Sequence, residues 1–223
     1  MSGEPVLIPV NRLSKAKGRL AELLTPGERE TLALITLEAV LHAAGGEAIV
    51  LTPDPEVARR GGGRAGLLEV EPAKHGLNAQ LGAAVAGLWA DGTARDALMI
   101  LHADLPLASS GALETLSAAS AAKSAVLVES LDGGTNAMLL RPPAAFPLAY
   151  GPGSFEKHRR AAGAAGMGGF VNRNPARRPG PDTPGVAPGD RVVIRGVGHQ
   201  SAVIVPARRG PRVADSPPPP EAA

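Results

Sequence analysis

Ala97-Leu98-Met99-Ile100-Leu101-His102-Ala103-Asp104-Leu105-Pro106 begins as an unbroken apolar run and ends in an acidic turn. Such a run suits a strand buried on both faces of a parallel sheet. Pro106 prevents the strand from continuing. In an open α/β sheet, ligands bind beyond the carboxyl ends of the strands. A carboxylate placed there, such as Asp104, can hold a divalent cation against a polyphosphate. The other reading of Asp104 is a cap for the helix that begins near Ser109 or Ser110.

Upstream of this strand the pattern alternates between short apolar runs and helical stretches. Val6-Leu7-Ile8-Pro9-Val10 reads as the first strand. A basic segment follows, from Asn11 to Leu20, carrying Arg12, Lys15, Lys17 and Arg19. It contains neither GxGxxG nor GxxxxGK[ST], so the dinucleotide and P-loop signatures are absent. Its cations can still clamp a triphosphate by charge, or simply be solvated. Thr25-Pro26-Gly27-Glu28 has the capping-box pattern of a helix start. Leu32, Ile35, Leu37, Val40 and Leu41 follow at helical spacing. Ala48-Ile49-Val50-Leu51 and Leu67-Leu68-Glu69-Val70 are expected strands. Asn78 stands where it can cap an Ala-rich helix that runs through Trp89.

Downstream, Ser124 to Val128 and Ala137 to Leu140 read as strands around the turn Asp132-Gly133-Gly134-Thr135-Asn136. Gly151-Pro152-Gly153-Ser154-Phe155 opens a helix, and the amides of such a turn form an anion site. His158, among Lys157, Arg159 and Arg160, reads as a surface helix residue without an assigned role. The β-α-β alternation predicts a doubly wound, mostly parallel sheet, with a small antiparallel insertion around residues 131–155. Beyond Asn174 the composition turns to Pro, Arg, Gly and Val. Residues 173–223 are expected to be a divergent, partly disordered tail, with one hairpin across Gly196-Val197-Gly198 and a polyproline end.

Composition narrows the function. The net charge of +2 and aromatic content of 2 % argue against a nucleic-acid partner. The chain has no cysteine, which excludes thiolate metal sites and a Cys nucleophile and fits the reducing cytoplasm. No signal peptide precedes Val6, and no apolar run is long enough to span a bilayer. The oligomeric state stays open, a homodimer included.

Five segments then coincide: "IPVNRLSKAKGRL", "GLNAQL", "HADLPL", "GTNAMLLRPP" and "YGPGSFEKH". In this order and at these separations the chain resembles the phosphoenolpyruvate or 2-phospho-L-lactate guanylyltransferases of coenzyme F420 biosynthesis. The similarity covers roughly residues 5–172. It implies a Rossmann-like nucleotidyltransferase fold of the nucleotide-diphospho-sugar transferase type, as residues 1–172. It implies GMP transfer from GTP to the phosphate of a three-carbon acid, with Mg2+ and release of diphosphate. On the matching positions it implies Asp104 and Lys17 as catalytic residues. Lys17, Arg19, Leu77 and Asn78 would bind GTP, and Thr135, Gly151 and Ser154 the acid. Asp104 and Asp182 would hold the metal. Asn11 stands where related chains carry Lys, and Gly180 where they carry an Asp. Two other readings remain: a nucleotidyltransferase of the same fold with another nucleotide or acceptor, and a non-catalytic nucleotide-binding homologue.

Overall fold

In a computed structural model of the chain, residues 3–61, 66–69, 76–120, 124–143, 146–167, 192–195 and 201–204 are described. The expected tail, Asp182 and Gly180 lie outside them, apart from a two-stranded antiparallel pair, β7 (Val192–Arg195) and β8 (Ser201–Ile204). That pair is the hairpin expected across Gly196–Gly198.

The main sheet has six strands: β1 (Val6–Pro9), β2 (Ala48–Thr52), β3 (Gly66–Glu69), β4 (Leu98–Leu101), β5 (Ser124–Glu129) and β6 (Thr135–Arg141). Their spatial order is β3-β2-β1-β4-β6-β5. β1 pairs in parallel with both β2 and β4, and β2 pairs in parallel with β3. β6 alone runs the other way, antiparallel to β4 on one side and to β5 on the other. The antiparallel insertion is therefore a strand of the main sheet itself.

The apolar run at 98–101 is explained by burial on both faces. Met99 and Leu101 pack into one core with α1 (Pro26–Ala44) and α4 (Ser110–Ala119). Leu98 and Ile100 pack into a second core with α3 (Leu77–Ala90) and α5 (Ser154–Ala164). β6 follows the same alternation, with Ala137 and Leu139 in the first core and Met138 and Leu140 in the second. The result is a three-layer α/β/α arrangement. Among the described residues, no helix is long and apolar enough to cross a membrane.

Helix ends follow local chemistry. Thr25 and Glu28 form the expected capping box on α1. Ser109 caps α4 by accepting from the Ala112 amide. Asp104 is thus not the cap of that helix. α3 starts one residue ahead of Asn78, with Gly76 as its cap position. Ile35, expected on the inner face of α1, is instead 60 % exposed, while Leu37, Val40 and Leu41 are buried. A 3.6-residue period carries Ile35 off the narrow face that meets the sheet.

Asp54 ties the site-bearing loop to this frame. One carboxylate oxygen, Oδ1, accepts from the Glu56 and Val57 amides and caps the short helix α2 (Pro55–Gly61). The other, Oδ2, accepts from the amide of Leu13 in the basic segment, at 2.8 Å. Asp54→Ala is expected to cost about 2–4 kcal/mol, from a lost cap and a buried N–H left unpaired. Thr25→Ala, at an exposed cap, is expected to cost about 1 kcal/mol. Urea unfolding of both variants checks this, and Asp54→Asn, which retains one acceptor, should fall between them.

Candidate active site

The chain leaves β1, builds β2 and β3 on one side, then returns to place β4 on the other. The topological switch point therefore lies between the carboxyl ends of β1 and β4, where open α/β sheets bind ligands. A cleft of about 630 Å³ opens there, lined by Asn11, Lys15, Lys17, Leu77, His102 and Asp104 among others. Its size is in the usual range for a small-molecule site.

The basic segment forms one wall. It makes two tight turns, Leu13–Lys15 and Gly18–Leu20, separated by Lys17 in a left-handed conformation at φ 49°. Non-glycine residues are uncommon there, and the conformation projects Lys17 towards β4. Its Nζ lies 3.8 Å from an Asp104 carboxylate oxygen. Arg19, largely exposed, lies 3.6 Å from the Asp132 carboxylate in the β5–β6 turn. Asp132 also accepts from the Ser130 hydroxyl and the Gly134 amide, which hold its carboxyl below the ordinary range. An added Cβ at Gly134 would fall 2.7 Å from Ser130 Oγ, so a larger residue there would push the Ser130 side chain out of its bond to Asp132.

A second cluster sits at the start of α5. Thr135 opens β6, and Ser154 is the first residue of α5. Both are buried, and their hydroxyl oxygens are 3.2 Å apart. Gly151 and Gly153 precede Ser154 with φ of 128° and 66°, values that favour glycine and turn the chain into the helix. The Thr135 hydroxyl is also 3.0 Å from His158 Nδ1. His158, expected at the surface, is fully buried. Sequence spacing held a signal for it: His158 stands four residues after Ser154, on the same helix face.

Asn78 joins the two regions. Its amide nitrogen donates to the Tyr150 carbonyl at 3.0 Å, and its oxygen accepts from the Tyr150 amide at 2.7 Å. This pair fixes the start of α3, whose Leu77 lines the cleft, against the residue that precedes the glycine turn. Asn78 is thus neither a helix cap nor wholly available to a base, since it retains one N–H and part of its acceptor capacity. Tyr150 packs at 5.1 Å and tilted by 43° against the ring of His102, which lines the cleft two residues before Asp104. Burial pushes the His102 pKa down, against the pull of Asp104 and Asp132.

Of the residues singled out in the sequence, the structure brings Lys17, Asp104 and Leu77 to one cleft, and Arg19 to Asp132 of the β5–β6 turn. It brings Thr135, Ser154 and Gly151 together at a neighbouring turn. Asp54, Asp132, Tyr150 and His158 carry no role in the sequence reading, and each supports one of those residues or its loop. Among the described residues, no three His, Asp or Glu side chains cluster as a metal site. Asp104 by itself suits a hard cation that keeps most of its bonds to substrate phosphates and water, as Mg2+ does.

Comparison with known proteins shows the fold and the family. A nucleotidyl transferase from Methanothermobacter superposes with a TM-score of 0.53 at 18 % identity, over 78 % of this chain and 89 % of that one. A Desulfovibrio desulfuricans protein assigned to the nucleotide-diphospho-sugar transferases gives 0.53 at 18 %, over 72 % and 77 %. These likenesses show the fold. In sequence, the phosphoenolpyruvate guanylyltransferase of Sphaerobacter thermophilus is 39 % identical over 72 % of this chain and 79 % of its own length. That of Rubrobacter xylanophilus is 37 % identical over 70 % and 78 %. The family described as "Guanylyl transferase CofC like" matches residues 4–171, which take in the whole main sheet, the cleft and the glycine turn, and the chain belongs to that family of nucleotidyltransferases.

Proposed function

We propose that this chain moves GMP from GTP onto the phosphate of phosphoenolpyruvate, or of the closely similar 2-phospho-L-lactate, in coenzyme F420 biosynthesis. One observation carries the reading: a cation-lined cleft at the switch point is bolted, through Asn78 and Tyr150, to a glycine turn with a buried hydroxyl pair. The cleft suits a triphosphate, and the turn suits a small acid with one phosphate and one carboxylate. Relatives named for this reaction support the choice of acid.

The chemistry asks little of the protein beyond placement and charge. An oxygen of the acid's phosphate attacks the α-phosphorus of GTP. The bond from that phosphorus to the oxygen bridging to the β-phosphorus breaks, and diphosphate leaves with the electron pair. The attacking oxygen is already ionised at neutral pH, so no general base has to remove a proton. Lys17 and Arg19 neutralise the triphosphate and the departing diphosphate. Leu77 offers an apolar surface beside the base, and Asn78 one remaining N–H. Thr135, Ser154 and the Gly151 turn hold the acid in line. Asp104 is the carboxylate that would hold Mg2+, which when bound spreads the triphosphate charge. Asp182, expected as its second carboxylate, lies outside the described residues.

Mass spectrometry of products from GTP, Mg2+ and each acid in turn tests the reaction, with CTP and UTP as competing donors. Incorporation from CTP or UTP but not GTP would overturn it. Asp104→Asn should lower kcat/KM at least about a hundredfold, the scale seen when one transition-state charge contact is removed. Its fold should be unchanged by circular dichroism, since Ser109 and not Asp104 caps α4. Thr135→Val and Ser154→Ala should each raise KM for the acid about ten- to a hundredfold by removing a hydrogen bond to a charged group, while KM for GTP stays put. A shift in GTP saturation alone would reverse the assignment of the two subsites.

A further inference from the structure

His158 makes two hydrogen bonds, and one of them fixes the other. Its Nε2 lies 2.8 Å from the backbone nitrogen of Ala149. A backbone N–H only donates, so Nε2 accepts and carries no hydrogen. Burial, with smaller contributions from His102 and Lys157, holds the ring's pKa down to about 4, so it is neutral at pH 7. The rings of Tyr150 and Phe146 pack against it at 4.9 and 6.0 Å. A neutral imidazole without hydrogen on Nε2 has it on Nδ1. That N–H donates to the Thr135 hydroxyl oxygen at 3.0 Å.

The consequence is a count of protons. Thr135 and Ser154 own two hydroxyl hydrogens between them, and the bond joining their oxygens uses one. Because His158 donates to Thr135, it consumes neither. One O–H is therefore left over, whichever hydroxyl donates to the other. With the opposite tautomer the ring would accept the Thr135 hydrogen, Ser154 would donate to Thr135, and no O–H would remain. We propose that His158 is a positioning residue that sets the direction of this hydrogen-bond chain, so that the Thr135–Ser154 pair always presents one O–H to an anionic oxygen of the acid substrate. The inference rests on the reading of Thr135 and Ser154 as the acid subsite. It adds a reason for that subsite to take an ionised group: the leftover hydrogen needs an acceptor, which a carboxylate or phosphate oxygen supplies and an ammonium group does not.

Two substitutions separate the two bonds of His158. In His158→Gln a carbonyl oxygen at the ε position can still accept from Ala149, but nothing at the δ position holds the Thr135 oxygen, so the leftover O–H persists without being aimed at the substrate. In His158→Asn an amide N–H at the δ position can still donate to Thr135, but Ala149 loses its acceptor. Steady-state kinetics with phosphoenolpyruvate and GTP, on variants whose thermal melts show a folded chain, should find KM for the acid raised about tenfold in the Gln variant. The Asn variant should stay near the parent, and KM for GTP should not move in either. The reverse order, or no change in both, would overturn the proposal, because only a structural tie to Ala149 would then matter. If both variants raise KM equally, a cycle with Thr135→Val settles it. His158→Gln having no further effect in the Val background supports action through Thr135, and the same fold-change in both backgrounds overturns it. Thr135→Val that leaves KM for the acid unchanged overturns the subsite reading itself, whatever His158 does.

Discussion

Burial of β4 on both faces is the constraint from which the site follows. Leu98, Met99, Ile100 and Leu101 are each at most 2 % exposed, so this strand has no solvent side. It is held by β1 in parallel and by β6 antiparallel. A chain leaving such a strand can turn polar only beyond its end, and the first positions free to do so are His102 to Asp104. The carboxylate thus stands at the switch point because the apolar run stops there, and Pro106 keeps it from being absorbed into a longer strand.

The basic segment reaches Asp104 from the neighbouring strand, and its placement is equally determined. Three residues, Val10 to Arg12, separate Pro9, the end of β1, from the Leu13–Lys15 turn that precedes Lys17. That span is free at its tip but pinned at Leu13 by the buried Asp54 carboxylate. From this anchor Lys17 extends over β4 and Arg19 over the β5–β6 turn, each towards a carboxylate. Both ion pairs are partly or largely exposed, so their worth lies in orientation more than in stability. On the proposed function, they hold cations where the anionic oxygens of a triphosphate would compete for the same charges.

Much of this was legible in the sequence because it is written in local chemistry. The period-one apolar run gives a strand buried twice, Thr25 and Glu28 give a helix start, and the glycines at 151 and 153 give a turn. Partnership across the fold was not legible. Asn78 reads as a helix cap, and only the approach of Tyr150, 72 residues later, turns its amide into a brace. Asp54 stands between Pro53 and Pro55 with nothing local to mark it, yet its second oxygen holds a loop 41 residues away. His158 sits among Lys157, Arg159 and Arg160, whose side chains are solvated, and charge neighbours in sequence suggest a surface. A helix puts the residue four places after Ser154 back on Ser154's face, and that face meets β6 rather than water.

The distribution of aromatic residues bears on why His158 can do what is proposed for it. The chain holds three Phe, one Tyr and one Trp, and the cores on both sides of the sheet are built almost wholly from aliphatic side chains. Phe146, Tyr150 and Phe155 nevertheless fall within ten residues of one another. Phe146 and Tyr150 lie against His158, and Tyr150 also against His102. Aliphatic packing would desolvate the imidazole as well, but flat rings do so while leaving its two in-plane nitrogens open to Ala149 and Thr135. A ring kept neutral and edge-on has one hydrogen to give and one lone pair to receive it, and the backbone of Ala149 has already claimed the lone pair. The direction of the chain from His158 to Thr135 is then set by packing and covalent geometry alone, before any substrate arrives.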